Sequence, residues 1–483
     1  MIEQLEHLIF RCQGSFKQGR SFARARILLL SQLVCLGRHT VTGLICTSAR
    51  QFQDWSADYR LFAKERFDKD ALFQVIRQEV VAQLDEDEPI VAAMDDTILR
   101  KSSKKTPGVS YRRDPLGPKF QTNLVLAQRF LQISAALPKG SGAAPARMIP
   151  IDFVHAPTPK KPSKKAPPDE WAAFKKLKKE TNLCQVSAVR IRKLRLYLDA
   201  DERMRRRKLW MVVDGGFTNG VVIKALPHHT TLIGRVRKDA KLFYPATAEQ
   251  QPTGAGKKKK YGQRAPTPEQ LRQDESVPWQ RVRVFAAGKV HEFKIKTIAP
   301  LMWEKAGAGV RLRLIVIAPL AYRPKKGSRL LYREPAYLIC TDPQAALEKV
   351  LQSFTWRWGI EVNHRDEKQL IGAGEAQVHN ASSVESSPVL AVAAYSLLLL
   401  AARRAYPEEK IEAGLPSPKW MAGAGKLRLT TKDLLDELRA ELLREAIVDM
   451  PDNLGRFVKG GSDDLKPVKL LPDVISAMLY PAA

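Results

Sequence analysis

A chain of 483 residues with 80 Lys plus Arg against 51 Asp plus Glu carries a formal charge of +29, which points to a polyanion as partner and leaves room for roughly two to four domains. An anionic membrane is the competing partner, but the longest apolar run, Val389 to Ala402, falls short of the roughly 20 residues a spanning helix needs and reads as a buried core helix, so no membrane is expected. Cys12, Cys35, Cys46, Cys184 and Cys340 form no Cys-x-x-Cys pair and read as reduced core thiols, not a zinc site. The first residues show no basic start followed by an apolar stretch, so a cytosolic protein is expected.

Residues 1–84 read as helical, with an amphipathic repeat through Leu72, Val75, Ile76, Val80 and Leu84 that buries one face. Gly37-Arg38-His39-Thr40-Val41-Thr42-Gly43, with Ser48 and Arg50 beyond it, reads as a helix junction able to dock on phosphate. The preferred role is a small DNA-binding domain. A packing domain with solvated basic residues is the alternative, and the segment has no sharp helix-turn-helix pattern.

From Glu88 the pattern changes to strands. Ile90 to Met94 is an apolar run ending in Asp95-Asp96-Thr97, and Asn123 to Ala127, Arg129 to Ala136 and Met148 to Val154 give further strands. The basic loop from Arg100, with Lys101, Lys104 and Lys105, reads either as a DNA-steering element or as a flexible exposed loop. A Pro- and Lys-rich linker spans Ala156 to Pro168, and a charged helical stretch runs from Asp169 to Lys208. Leu209 to Val213 is a second apolar run, ending in Asp214-Gly215-Gly216. A short helix near Asn219 to Leu226 and a strand from Thr230 to Val236 follow. Then comes a low-complexity run containing Lys257, Lys258, Lys259 and Lys260, read as a disordered phosphate-binding tether with a solubilising loop as the alternative. Alternation in Arg281 to Phe285 and Val310 to Ile315 indicates half-buried antiparallel strands with arginines on the open face.

The segment Phe354 to Lys368 places Phe354, Arg357, Glu361 and Lys368 at steps of three, four and seven residues, on one side of a helix. Asp342 is expected to cap this helix, with Pro343 at its first position. A solvated stripe of salt bridges is the ordinary reading of a charged helix. Two strands that each deliver a carboxylate at the C-terminal end, where open sheets place ligands, weigh against it. Three buried carboxylates side by side need compensation, which argues for divalent metal ions. Trp356 and Trp358 can stack on an extruded base, with packing as the commoner role. His364 and His379 receive no acid–base role, and neither a Gly-x-Ser-x-Gly elbow nor a P-loop is present.

On these residues the sequence resembles the insertion-sequence DDE transposases, whose catalytic helix carries Y-x-x-R-x-x-x-E-x-x-x-x-x-x-K. Arg357, Glu361 and Lys368 match, and Phe354 stands where the family has tyrosine. Asp95-Asp96-Thr97 fits the family's Asp-x-Thr/Ser motif, and Asp214 fits its second acid. The resemblance covers roughly residues 85 to 380. It implies an α/β fold with an RNase H-like, retroviral integrase-like core, interrupted by a β-rich insertion and flanked by helical N- and C-terminal domains. The expected divisions are 1–84 helical and DNA-binding, 85–240 first part of the core, 241–341 insertion with a basic loop, 342–380 catalytic helix, and 381–483 helical C-terminal region.

The resemblance further implies that Asp95, Asp214 and Glu361 are catalytic and hold two magnesium ions, for which manganese substitutes. Asp96 is the rival to Asp95: strand alternation sends the two to opposite faces without saying which faces the metals, and the family's Asp-x-Thr pattern alone favours Asp95. Arg357 and Lys368 would clamp phosphates of the transposon end, joined on DNA by Phe354, Trp358, Arg365, the loop lysines and the four-lysine run. Phe354 keeps the ring for stacking and loses the tyrosine hydroxyl. The implied activity is cutting of transposon ends and joining of their 3′-hydroxyls to target DNA. The implied partners are double-stranded DNA, as terminal inverted repeats and as target, and a second copy of the chain. The implied setting is the bacterial cytoplasm, with the nucleoid. A domesticated nuclease and a non-catalytic DNA-binding protein of the same fold are the alternatives.

Overall fold

Helices α1 (Ile2–Arg11), α2 (Gly19–Val34), α3 (Val41–Thr47), α4 (Ser56–Ala63) and α5 (Lys69–Ala82) open the chain. In the computed structural model the described residues are 1–85, 88–118, 120–251, 258–307, 309–324, 327–408, 410 and 428–448. Thr40 caps α3 by accepting from the Gly43 N–H, and Asp68 caps α5 through the Asp70 and Ala71 N–H groups. The repeat in α5 buries Leu72, Ile76 and Val80, each stabilised by about 1.5–3 kcal/mol. These side chains, with Leu5 and Leu28, share one core with strand residues such as Met94 and Phe130, so the N-terminal helices are built into the same body as the sheet.

Strands β1 (Ile90–Arg100), β2 (Ser110–Arg113), β3 (Leu124–Pro138) and β4 (Ala146–His155) follow. β3 pairs antiparallel with all three of the others. Helices α6 (Pro168–Glu180) and α7 (Leu183–Asp199) lead to β5 (Leu209–Val213), which lies parallel to β1. Helix α8 (Gly220–Lys224) then carries the chain to β6 (Thr230–Arg235), parallel to β5. A small ribbon of β7 (Phe243–Pro245) and β8 (Tyr261–Arg264) and helix α9 (Pro268–Gln273) precede β9 (Gln280–Ala286), β10 (Lys289–Leu301) and β11 (Leu312–Ile317). A second ribbon, β12 (Ala321–Tyr322) with β13 (Leu331–Tyr332), comes before β14 (Ala336–Cys340). Helices α10 (Leu347–Trp356), α11 (Trp358–Gln369), α12 (Ala381–Ala405) and α13 (Thr431–Val448) complete the described chain.

The main sheet has ten strands in the order β2-β3-β1-β5-β6-β14-β11-β10-β9, with β4 also on β3. The β-rich segment after β8 therefore extends the same sheet through β14. Strands β1 and β5 are apolar without alternation because both faces are covered. On one face Val91, Ala93, Trp210 and Val212 meet Val350, Leu351 and Ile360 of α10 and α11. On the other, Ile90, Ala92, Met94, Met211 and Val213 join Ile191 and Leu194 of α7 in the larger core. By length and composition α12 could cross a bilayer, yet 89% of its apolar window is buried inside this fold. All five cysteines are free thiols.

Four local expectations are corrected. β1 does not end at Met94 but runs to Arg100, because β3 continues to pair with it after the parallel ladder with β5 stops at Met94 opposite Val213. The two expected strands around Gln128 are one, since Gln128 is buried and donates to Pro107 O at 2.8 Å. The charged stretch after Asp169 is two helices with a break near Thr181, and it ends at Asp199. Asp342 caps no helix: Gln344 N–H and the Lys208 ammonium take its two oxygens at 3.0 and 2.8 Å, and α10 starts at Leu347 with Ala346 in the cap position. Residues 409, 411–427 and 449–483 of the expected C-terminal region lie outside the described residues.

Candidate functional site

The parallel ladder of β1 and β5 ends in the pair Met94 and Val213, so Asp95 and Asp214 emerge side by side at one end of the sheet. Asp95 Oδ1 accepts from the Asp96 N–H at 2.8 Å. Asp214 Oδ1 accepts from the Gly216 and Phe217 N–H groups at 2.9 and 3.3 Å, an Asx turn that ends β5 and orients the carboxylate. A Cβ at Gly216 would stand 3.2 Å from that same oxygen. Each aspartate thus has one oxygen held by backbone.

Arg357 sits at the break between α10 and α11, where Ile360 N–H bonds back to Arg357 O at 3.0 Å. Gly359 lets this turn approach β4 closely, since a Cβ there would stand 2.4 Å from Met148 Cγ. The Arg357 guanidinium places Nη1 3.8 Å from Asp95 Oδ2 and donates from Nη2 to Glu361 Oε1 at 3.1 Å. One cation therefore links an acid of β1 to an acid of α11.

Burial holds the Asp95 carboxyl up to about 7, and the neighbouring Asp214 adds to the rise while Arg357 opposes it. Asp96 is also raised by burial and, less, by Asp214, but the cations that oppose its rise are Arg129 and Arg112 rather than Arg357. Alternation along β1 accounts for the split: Asp95 shares the face of α10 and α11, and Asp96 the opposite face. Burial, then repulsion from Arg129, brings Arg112 down to about 10. Burial also lowers the Lys368 ammonium, and Asp95 is among the acids that partly restore it.

These acids fit a divalent cation in their chemistry. They offer hard oxygens, and their mutual repulsion is relieved in this conformation by a guanidinium. Among the described residues no three His, Cys, Asp or Glu side chains are grouped closely enough to hold one ion. Glu361 is turned to Arg357 instead.

The other expected site residues divide by exposure. Trp358 is 63% exposed beside Arg357. Phe354 packs partly against the core under α10, and Trp356 donates to Ala144 O at 2.8 Å, a packing role. Arg365 is exposed and pairs with Asp366 at 2.9 Å. Lys101 is turned inward, donating to Gly374 O at 2.9 Å and Ala376 O at 3.5 Å. Lys104 is exposed, with its ammonium 5.8 Å from the Tyr111 ring centre, and Lys105 is exposed. Lys258, Lys259 and Lys260 are exposed, while Lys257 lies outside the described residues. In the N-terminal helices His39 meets Glu375 and Arg50 meets Asp58, at 3.4 and 3.5 Å.

Sequence reasoning missed the polar floor beside this site. Gln132 lies opposite Asp95 in the β1–β3 ladder. It is fully buried, as are Gln128 and Ser134; three polar residues on one face of an apolar strand were the available signal. Behind them Glu367 is buried and held up to about 8, and His364 is held down to about 3, both by burial. A cavity of about 1340 Å³ at the other end of the same strands, lined by Pro89, Lys208, Trp210 and Lys349 among others, is remote from these acids.

The sequence pattern of one family, described as DDE superfamily endonuclease, matches residues 13–292, more than half of the chain. The matched stretch takes in Asp95 and Asp214 and stops before Glu361. No curated protein matches the chain.

Proposed function

The chain belongs to the DDE superfamily endonucleases, whose substrate is DNA and whose members use divalent metals, and from that premise we propose that it is an insertion-sequence transposase of the Y-R-E-K type. The observation that carries this reading is the link from Asp95 through Arg357 to Glu361, beside Asp214. The strand order β4-β3-β1-β5-β6, with β1, β5 and β6 parallel, supports an RNase H-like core as its scaffold. The 1–84 helices, the segment 241–341 and the region after residue 381 are then accessory parts.

In this reading Asp95, Asp214 and Glu361 hold magnesium through their carboxylate oxygens, with Asp95 preferred to Asp96 because it shares a face with Glu361. Bound divalent ions supply activation of the attacking hydroxyl and relief of charge on the leaving oxygen. The protein's own groups do the rest. Arg357 exchanges its carboxylate partners for a DNA phosphate, which its planar fork suits. Lys368 lends a point charge behind it. Trp358 offers an exposed ring on which an extruded base stacks, while Phe354, part-buried and without a hydroxyl, supports the helix from below. Two copies acting on paired ends in the bacterial cytoplasm complete the proposal.

The test is to incubate the protein with labelled DNA carrying the gene's native flanking repeats, with and without magnesium, and to map every cut strand. Magnesium-dependent cuts at the repeat boundaries are expected. Cuts elsewhere, with the boundaries untouched, would refute the transposase reading while leaving the nuclease family standing.

A further inference from the structure

Between Ile317 at the end of β11 and Ala336 at the start of β14 the chain leaves the sheet as the β12–β13 ribbon, which pairs Ala321 with Tyr332 and Tyr322 with Leu331. Its side chains stay in solvent: Tyr322 is 39% exposed, Leu330 39%, Leu331 38% and Tyr332 66%. A lone two-stranded ribbon is marginal in water, and tyrosines and leucines left exposed add little to its stability. Arg323, Arg329 and Arg333 are exposed on the same segment, where Glu334 is the one acid between residues 321 and 334. The Arg333 guanidinium lies 5.3 Å from the Tyr322 ring centre, and the Arg333 N–H anchors the ribbon to Leu320 O at 2.9 Å.

Topology sets where the ribbon stands. β6 is parallel to β5, β14 is antiparallel to β6, and β11 is antiparallel to β14. β11 therefore runs in the direction of β5, and its C-terminal end lies at the end of the sheet that bears Asp214. Val213, Gly234, Ile339 and Leu314 form one row across these strands, so the ribbon begins beyond that row on the acid side. Three strand spacings, roughly 14 Å, separate β5 from β11.

We propose that the β12–β13 ribbon is a DNA-contacting arm that seats on the duplex beside the cut, with its arginines on phosphates and its tyrosines against sugars and base edges. The proposal rests on DNA being cut at the acid site. The ribbon's surplus of arginine in a chain of charge +29 selects a polyanion, and arginine interleaved with aromatic rings is the surface nucleic acids favour. A two-stranded ribbon also fits a duplex groove. A duplex laid across the end of the sheet covers the separation in about four base pairs, which sets where the arm touches relative to the cleaved phosphate.

The test compares full-length wild type with two variants, Arg323→Gln/Arg329→Gln/Arg333→Gln and Tyr322→Ala/Tyr332→Ala, on a fluorescein-labelled duplex by anisotropy across a salt series. The arginine variant is expected to bind about tenfold more weakly and to lower the slope of log affinity against log salt by roughly 2. The tyrosine variant is expected to weaken binding several-fold at unchanged slope. Hydroxyl-radical footprints of both should lose protection about four base pairs from the cut, with melting temperatures unaltered. Affinity, slope and footprint equal to wild type would overturn the proposal. So would an unchanged footprint accompanied by a changed mass of the DNA-free protein in light scattering, which would make the ribbon a self-association surface. Failure of the nuclease reading looks different: wild type itself would then leave DNA uncut in metal.

Discussion

Arg357 donates to Glu361 at 3.1 Å from one nitrogen while its other terminal nitrogen lies 3.8 Å from Asp95. A guanidinium thus stands where crowded carboxylates need positive charge. Removing it leaves part-buried acids facing one another, which costs stability because an unpaired charge keeps its desolvation penalty.

The first prediction is that metal-free Arg357→Gln is less stable than wild type at neutral pH by about 1–3 kcal/mol. Added magnesium or manganese should recover more of its melting temperature than it adds to wild type, and cleavage should fall by about two orders of magnitude with the lost phosphate contact. Thermal scans with and without metal, alongside a cleavage assay, check both parts.

Glu367 gives a pH dependence with a definite sign. Its folded-state value of about 8 lies above its ordinary 4.5 because burial penalises the anion. The folded state therefore holds the proton more tightly than the unfolded chain, so stability is full below the ordinary value and is lost as pH rises toward 8. A hydrogen bond from Gln132 and the nearby Lys368 ammonium oppose this rise without overcoming the burial. Glu367→Gln should melt with wild type below the ordinary value of 4.5 and above it once the pH passes about 8.

His364 runs the other way. Burial holds it neutral down to about 3, so the folded state resists protonation and stability falls as pH drops from about 6.5 toward 3. His364→Gln should flatten that acid limb in equilibrium unfolding measured against pH.

Gly359→Ala tests the close approach of the α10–α11 turn to β4. The added methyl would stand 2.4 Å from Met148 Cγ and 3.1 Å from its Cβ. Overpacking of about 1–3 kcal/mol outweighs the helical gain of about 1 kcal/mol from replacing glycine. A lower melting temperature is expected, with reduced cleavage because Arg357 and Glu361 ride on the same turn.

The sequence made β5 and the first half of β1 legible, since strands covered on both faces leave continuous apolar runs, and the turn at Asp214-Gly215-Gly216 closes the second. The spacing of Arg357 and Glu361 likewise carries their contact, one helical turn apart. What was hidden depends on distant partners. Asp95 and Asp96 look like a strand end until Leu131 and Gln132 are seen to pair with them. Lys101 reads as a free loop cation, but the carbonyls of Gly374 and Ala376, far along the chain, draw it inward. Alternation in Arg281 to Phe285 announces a half-buried strand without saying that it extends the main sheet rather than forming its own.

Glu361 is the acid that the family match does not reach, and its pairing with Asp95 and Asp214 is the centre of the account. The most direct measurement puts wild type, Asp95→Asn, Asp214→Ala and Glu361→Gln on one labelled duplex, reading metal-dependent cleavage and binding affinity together. Each variant should lose cleavage by at least about three orders of magnitude while binding DNA within a few-fold of wild type. Cleavage at the wild-type rate by Glu361→Gln or Asp214→Ala would contradict the assignment.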